Sequence, residues 1–156
     1  MNKVPMTAIG YQKLQDELKK LVNKDRPEII KDIAEARGHG DLSENAEYQY
    51  AKEQQSIIEG KILELESVIA QAEIIDISKL SGNEIKFGAT VRINDNETNV
   101  QSTYQIVGEY ESDINNKKLS INSPLAKGLI GKTKNDAVEV NSPKGTKIYT
   151  VLSVKF

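Results

Sequence analysis

Asp41 and Glu44 are two carboxylates three residues apart, inside the stretch Glu35-Ala-Arg-Gly-His-Gly-Asp-Leu-Ser-Glu-Asn-Ala-Glu-Tyr48. Carboxylate oxygens are the ligands that hard divalent cations such as Mg2+ prefer, so the pair is a candidate cation site. Mg2+ demands octahedral geometry and gives up water reluctantly. Two carboxylates on an exposed turn would therefore form an open site that needs ligands from elsewhere. Asp41-Leu-Ser-Glu44 also fits a capping box, in which an N-cap side chain bonds the N3 amide and a Glu at N3 bonds back. From four residues alone, capping is the commoner use.

The neighbours carry chemistry of their own. His39 is the single histidine, and because an unperturbed imidazole changes charge near neutrality a histidine here could carry a proton, although a solvated turn residue is the plainer reading. Arg37 offers a planar fork to phosphate or carboxylate, or simply a cation at a helix C-terminus. Asn45 could hydrogen-bond a substrate, orient Asp41, or be an exposed first-turn amide. Leu42 would project from the turn, and Tyr48 starts an apolar seam, which makes it core before contact.

Two helices must present that turn. Gly38 and Gly40 break the first pattern, and the second helix is expected to start at Asp41. Beyond the turn, Tyr48, Ala51, Gln55, Ile58, Ile62, Leu65, Ile69 and Ala72 recur at alternating steps of three and four, the seam of a coiled coil with Gln55 its one polar member. Upstream, Leu14, Leu18 and Leu21 begin a matching seam, Asp25 interrupts it, and Ile29, Ile33 and Ala36 resume it after an extra step. Pro27 lies at the slip, which predicts a kink or short break over Asn23 to Pro27. Two helices of roughly 30 residues would make a rod about 45 Å long.

Past Asp76 the period changes from helical to two. Ser81-Gly82-Asn83 reads as a turn, and Ala89–Ile93, Thr103–Val107, Lys118–Ile121, Ala137–Val140 and a run from Lys147 through Val151 read as strands. One short helix is fully punctuated, with Ser123 as N-cap, Pro124 at its first position and Gly131 just past its end. The expected fold class is α+β: an antiparallel helical hairpin over 1–76, a linker over 77–82, and an antiparallel β-sheet with one short helix over 83–156.

Bulk properties narrow the function classes. The 156 residues include no cysteine, which removes disulfides, thiolate chemistry and cysteine zinc sites and fits a reducing cytoplasm. No long apolar run or secretory signal is present, so a soluble, cytoplasmic monomer is expected. Net charge is −2 and unevenly spread. Residues 1–37 hold eight Lys/Arg and six Asp/Glu, residues 41–76 two and nine, and residues 77–156 eleven and eight. A mildly basic helix beside a strongly acidic one favours antiparallel pairing and argues against a general nucleic-acid binder.

The stretch Glu35 to Tyr48, continuing through Ala51-Lys-Glu-Gln-Gln55, closely resembles the tip signature of the Gre transcript cleavage factors of bacterial RNA polymerase. Arg26-Pro27, Ile57-Ile-Glu-Gly60, Ser123-Pro-Leu-Ala126 and Pro143-Lys-Gly145 resemble the same family in the same order, so the likeness spans the chain. It implies a coiled-coil hairpin followed by an FKBP-like domain. The implied activity is rescue of backtracked polymerase: the second domain docks on the rim of the secondary channel, the hairpin threads to the active centre, and the polymerase cleaves the nascent RNA 3′ end.

By that resemblance Asp41 and Glu44 help hold a Mg2+ shared with the polymerase, with Arg37, His39 and Asn45 as secondary tip residues. The protein is then an activator and not an enzyme itself. Ser123, Pro124, Leu125 and Lys127 are the candidate polymerase-docking residues. Lys13, Lys19 and Lys20, with Lys24, would face the RNA, although a solvated helix surface shared with Asp16 and Glu17 is the plainer reading. These sparse lysines favour the less basic branch of the family. Gly38 departs from the family pattern, where a larger residue is common, so Gly38→Glu should preserve or improve cleavage. Two rivals remain: a channel-binding inhibitor of the same architecture, against which the Asp41/Glu44 pattern argues, and a prolyl isomerase, for which the second half offers no Trp and few clustered aromatics.

Overall fold

The computed structural model describes residues 3–39 and 45–156, and its contacts divide the chain into two compact units. The first, over Tyr11–Ala72, is helical. It is built from α1 (Ala8–Lys20) beyond its first three residues, a π-helical segment (Leu21–Asp25), α2 (Arg26–Arg37) and α3 (Ala46–Ala70). Apolar residues at three- and four-residue steps put one stripe of each helix into the shared core. Leu14, Leu21, Ile29, Ile33 and Ala36 are buried on the first arm, and Ala51, Ile62, Leu65 and Val68 on α3. The seam on α3 ends one residue earlier than its period predicts, since Val68 is buried and Ile69 only half-buried.

The kink expected near Pro27 is not a break. The chain stays right-handed helical through Lys20, Asp25 and Arg26, and the Arg26 N–H bonds the Leu21 carbonyl five residues back. The eight residues from Leu21 to Ile29 would turn an α-helix by about 800°, leaving Ile29 about 80° past two full turns. One extra residue in a single π turn removes about 100° of that and returns Ile29 to within about 20° of the seam. Pro27 directly follows the π-bonded Arg26 N–H, so its missing donor falls at the π turn and not inside a regular α-helical stretch.

Across the hairpin, Arg26 donates from Nε and Nη2 to the two carboxylate oxygens of Glu59, both at 2.8 Å. This fork, close to the π segment, pins α2 to α3 in antiparallel register. The hydrogen bond from Arg26 holds the Glu59 carboxyl below its usual range and raises the guanidinium in turn.

The second unit joins Lys3–Gly10 to Glu73–Phe156. Strand β1 (Val4–Met6) pairs with β2 (Ala72–Ile74), and the Ile75 N–H bonds the Met6 carbonyl at 2.9 Å. A five-stranded sheet follows, with strands β3 (Thr90–Asp95), β4 (Gln101–Val107), β5 (Lys118–Ser120), β6 (Ala137–Ser142) and β7 (Gly145–Lys155). Its order is β5-β4-β3-β7-β6. The sheet is mixed, where the sequence suggests antiparallel pairing throughout. β5 runs parallel to β4, because two 3-10 turns at Glu109–Glu111 and Ile114–Asn116 return the chain before β5 begins.

Helix α4 (Pro124–Leu129) covers the sheet, with Ala126 and Leu129 packed on Ile85, Val91, Ile106, Val138 and Val151. Gly131, with φ +85°, ends it at the left-handed position where glycine is least strained.

The sequence places residues 1–76 together, whereas Lys3–Gly10 belongs with the sheet. The physical reason is Glu111. Its carboxylate accepts the Thr7 N–H at 2.8 Å, the Gly108 N–H at 2.9 Å and the Thr7 hydroxyl, while Thr7 Oγ1 in turn accepts the Gly10 N–H at 3.0 Å. A Cβ on Gly108 would stand 2.2 Å from the Pro5 carbonyl oxygen, so this close backbone approach requires glycine. Among the described residues no helix is long and apolar enough to cross a membrane.

Candidate functional site

The end of the hairpin is assembled by where α2 stops and α3 starts. α2 finishes at Arg37, and Gly38 caps it at φ −71°, ψ −10°. Gly38 therefore ends the helix without using glycine's left-handed freedom, contrary to the sequence expectation. α3 starts at Ala46 with Asn45 as its N-cap, so the start expected at Asp41 lies four residues further on. The capping-box reading of Asp41 and Glu44 loses its helix start to Asn45. Asp41 and Glu44 themselves, with Gly40, Leu42 and Ser43, lie outside the described residues.

Among the described residues, three contacts link the helix ends. Asn45 Oδ1 accepts the Tyr48 N–H at 3.1 Å, and Asn45 Nδ2 donates to the Ala36 carbonyl at 2.6 Å. His39 Nδ1 lies 2.8 Å from Glu47 Oε2, both side chains being exposed. The Arg37 guanidinium stands over the Tyr48 ring, 5.9 Å from its centroid, within cation–π range. Arg37, His39 and Asn45 are thus brought together at one end, each engaged with α3. Glu47 escapes sequence reasoning, because its role depends on a histidine eight residues away.

Beside these contacts runs an open cleft of ≈250 Å3 lined by Ile29, Asp32, Glu35, His39, Glu47 and Tyr50, among others. Its three carboxylates would repel a phosphate backbone, so the flank suits a site that presents anionic oxygen to a cation better than one that grips RNA. Among the described residues no group of three or more His, Cys, Asp or Glu is gathered to hold a metal.

Residues singled out elsewhere fall on separate surfaces. Lys13, Lys19 and Lys20 are exposed on α1, and Lys24 is exposed on the π segment. Ser123 caps α4, accepting the Ala126 N–H at 3.2 Å and donating to the Ser120 carbonyl at 2.7 Å. Pro124 and Lys127 are exposed, and Leu125 is half-buried against the core. Leu125 also lines an open groove of ≈190 Å3 with Ile93, Val100, Tyr104 and Tyr149.

A family profile described as "Transcription elongation factor, N-terminal" matches residues 4–74, and one described as "Transcription elongation factor, GreA/GreB, C-term" matches residues 80–156. The chain belongs to the GreA/GreB family of transcription elongation factors. Curated relatives extend over its full length. "Transcription elongation factor GreA" of Rickettsia canadensis is 59% identical over 154 residues, covering 99% of this chain and 95% of the relative. The proteins of the same name from Chelativorans sp. and Caulobacter vibrioides are 56% and 53% identical, each covering 100% of this chain and 99% of the relative. Among solved structures, Thermus aquaticus Gfh1 overlaps 100% of both chains at 27% identity with a TM-score of 0.46.

Both GreA/GreB profiles correspond to parts of the molecule with their own cores, the helical seam around Ile29, Ile33 and Ala51 and the sheet core around Val91 and Ile106. The transcription elongation factor assignment thus covers the hairpin that carries Asp41 and Glu44 as well as the sheet unit.

Proposed function

We propose that this chain stimulates RNA polymerase to cleave the 3′ end of backtracked nascent RNA, entering the secondary channel hairpin-first while the sheet unit, through Ser123, Pro124, Leu125 and Lys127, docks at the channel rim. What carries the reading is a pair of antiparallel helices, locked by the Arg26–Glu59 fork, whose connecting residues 40–44 include Asp41 and Glu44. The 25 residues of α3 span about 37 Å, so an acidic end stands well away from the base of the hairpin.

Asp41 and Glu44 would hold Mg2+ jointly with carboxylates of the polymerase and phosphates of the RNA. Mg2+ held there supplies charge stabilisation to the attacking and leaving oxygens of phosphodiester hydrolysis. The chain's own contribution is to deliver two anionic side chains on a stiff support. The chain is therefore an activator, and the nuclease is the polymerase.

The test uses stalled, backtracked elongation complexes with labelled RNA. Adding this protein and Mg2+ should release short 3′ fragments, and the Asp41→Ala/Glu44→Ala double variant should bind yet release none. Full cleavage by the double variant would overturn the proposal.

A further inference from the structure

We propose that Asn45 is a positioning residue: it fixes where the chain leaves α2 and enters α3, and so sets the separation of the two ends of the segment that carries Asp41 and Glu44. The inference rests on the cleavage-stimulating reading above and assigns Asn45 no contact with cation or RNA.

The geometry makes one amide serve two helices. Its oxygen takes the Tyr48 N–H in the first turn of α3, an N–H that has no partner within the helix. Its nitrogen donates to the Ala36 carbonyl in the last turn of α2, which also accepts the His39 N–H at 3.1 Å. Among the described residues the other links across this end are His39 to Glu47, both exposed, and the exposed Arg37 over the ring of the half-buried Tyr48. Exposed ion pairs hold geometry weakly, since solvent competes for both charges. Asn45 is half-buried and bonds backbone atoms on both sides, so it is the firmest of the three.

Only a side chain with an acceptor and a donor on one planar head makes both bonds. Aspartate caps a helix as well as asparagine does but has no hydrogen to give Ala36. Asn45→Asp therefore keeps α3 capped while turning an attractive contact with the Ala36 carbonyl into a repulsion between two oxygens. Carboxylates that must meet a cation in strict octahedral geometry are sensitive to such a change.

The experiment titrates the full-length parent and Asn45→Asp against backtracked complexes. It reads maximal cleavage rate and half-saturating protein concentration separately, alongside thermal unfolding. The expected result is a maximal rate lowered by about tenfold or more, as displacements near 1 Å produce, with half-saturation and melting temperature little changed. A general loss of folding would move all three readouts together. A maximal rate within about twofold of the parent overturns the role, because a misplaced group should cost more than that. So does a defect confined to half-saturation, which would make Asn45 a docking residue. A parent that fails to stimulate cleavage overturns the underlying reading and this role with it, whereas a parent that cleaves beside an equally active Asn45→Asp overturns this role alone.

Discussion

The π segment makes a sharp prediction about which single-residue deletion the hairpin tolerates. Asn23 is exposed and lies within Leu21–Asp25. Deleting it leaves seven residues from Leu21 to Ile29, about 700° of α-helix, the same facing that the π turn already achieves. The seam survives, but the straightened helix now places Pro27 in its interior at a cost of about 3 kcal/mol. Combining the deletion with Pro27→Ala removes that cost. Deleting Glu64 from α3 is the contrast, because nothing there absorbs the change. It rotates Leu65 and Val68, 8% and 5% exposed, by about 100° relative to Ala51 and Ile62. Turning two aliphatic side chains out to solvent costs roughly 3–6 kcal/mol. For a unit of this size that lowers the melting temperature by more than about 10 °C. Thermal unfolding followed by far-ultraviolet circular dichroism should rank the parent close to the Asn23 deletion with Pro27→Ala, then the Asn23 deletion alone, then the Glu64 deletion. A combined variant as unstable as the Glu64 deletion would refute the claim that the π turn exists to keep the seam in phase.

Other outcomes follow from particular contacts. Because Arg26 holds Glu59 below its usual carboxyl range, the pair stabilises the hairpin fully above the unfolded value of 4.5 and loses that contribution as pH falls through the lower folded value. Glu59→Gln should therefore show a shallower acid decline in melting temperature than the parent, and parallel profiles would exclude the fork as a stabiliser. Gly108→Ala should destabilise the sheet unit by about 1–3 kcal/mol in urea unfolding, since its Cβ meets the backbone oxygen of Pro5 and cannot be turned aside. Gly38→Glu should preserve or raise the transcript cleavage rate, because Gly38 already holds a right-handed helical conformation open to any residue. A loss of cleavage would show that glycine's freedom is used at that point.

Much of this architecture is legible in the sequence because it is local. The seam from Leu14 to Ala36 is written in three- and four-residue steps, and the helix from Ser123 to Gly131 in its cap residues. The slip between Leu21 and Ile29 is visible as well, but periodicity alone cannot tell a kink from a widened turn. The helix start was harder to read, because Asp41 and Asn45 are both good caps and Asp41 has the better motif. What favours Asn45 is its bond to Ala36, nine residues away. Contacts over longer distances leave no periodic trace. Thr7 and Glu111 are 104 residues apart, and neither the place of Lys3–Gly10 in the sheet unit nor the parallel pairing of β5 has a local signal.

The interrupted sheet unit also constrains how the chain matures on the ribosome. Lys3–Gly10 emerges well before Glu111 and must wait for it, and an open loop of that length would cost several kcal/mol of entropy to close. The hairpin, whose partners are near neighbours in the chain, can form during that wait as soon as Ala70 is exposed. Its closure returns the chain to β1 and shortens the search that remains. A nascent chain arrested before β2 is thus left with an orphaned N-terminal strand, a natural target for a holdase chaperone.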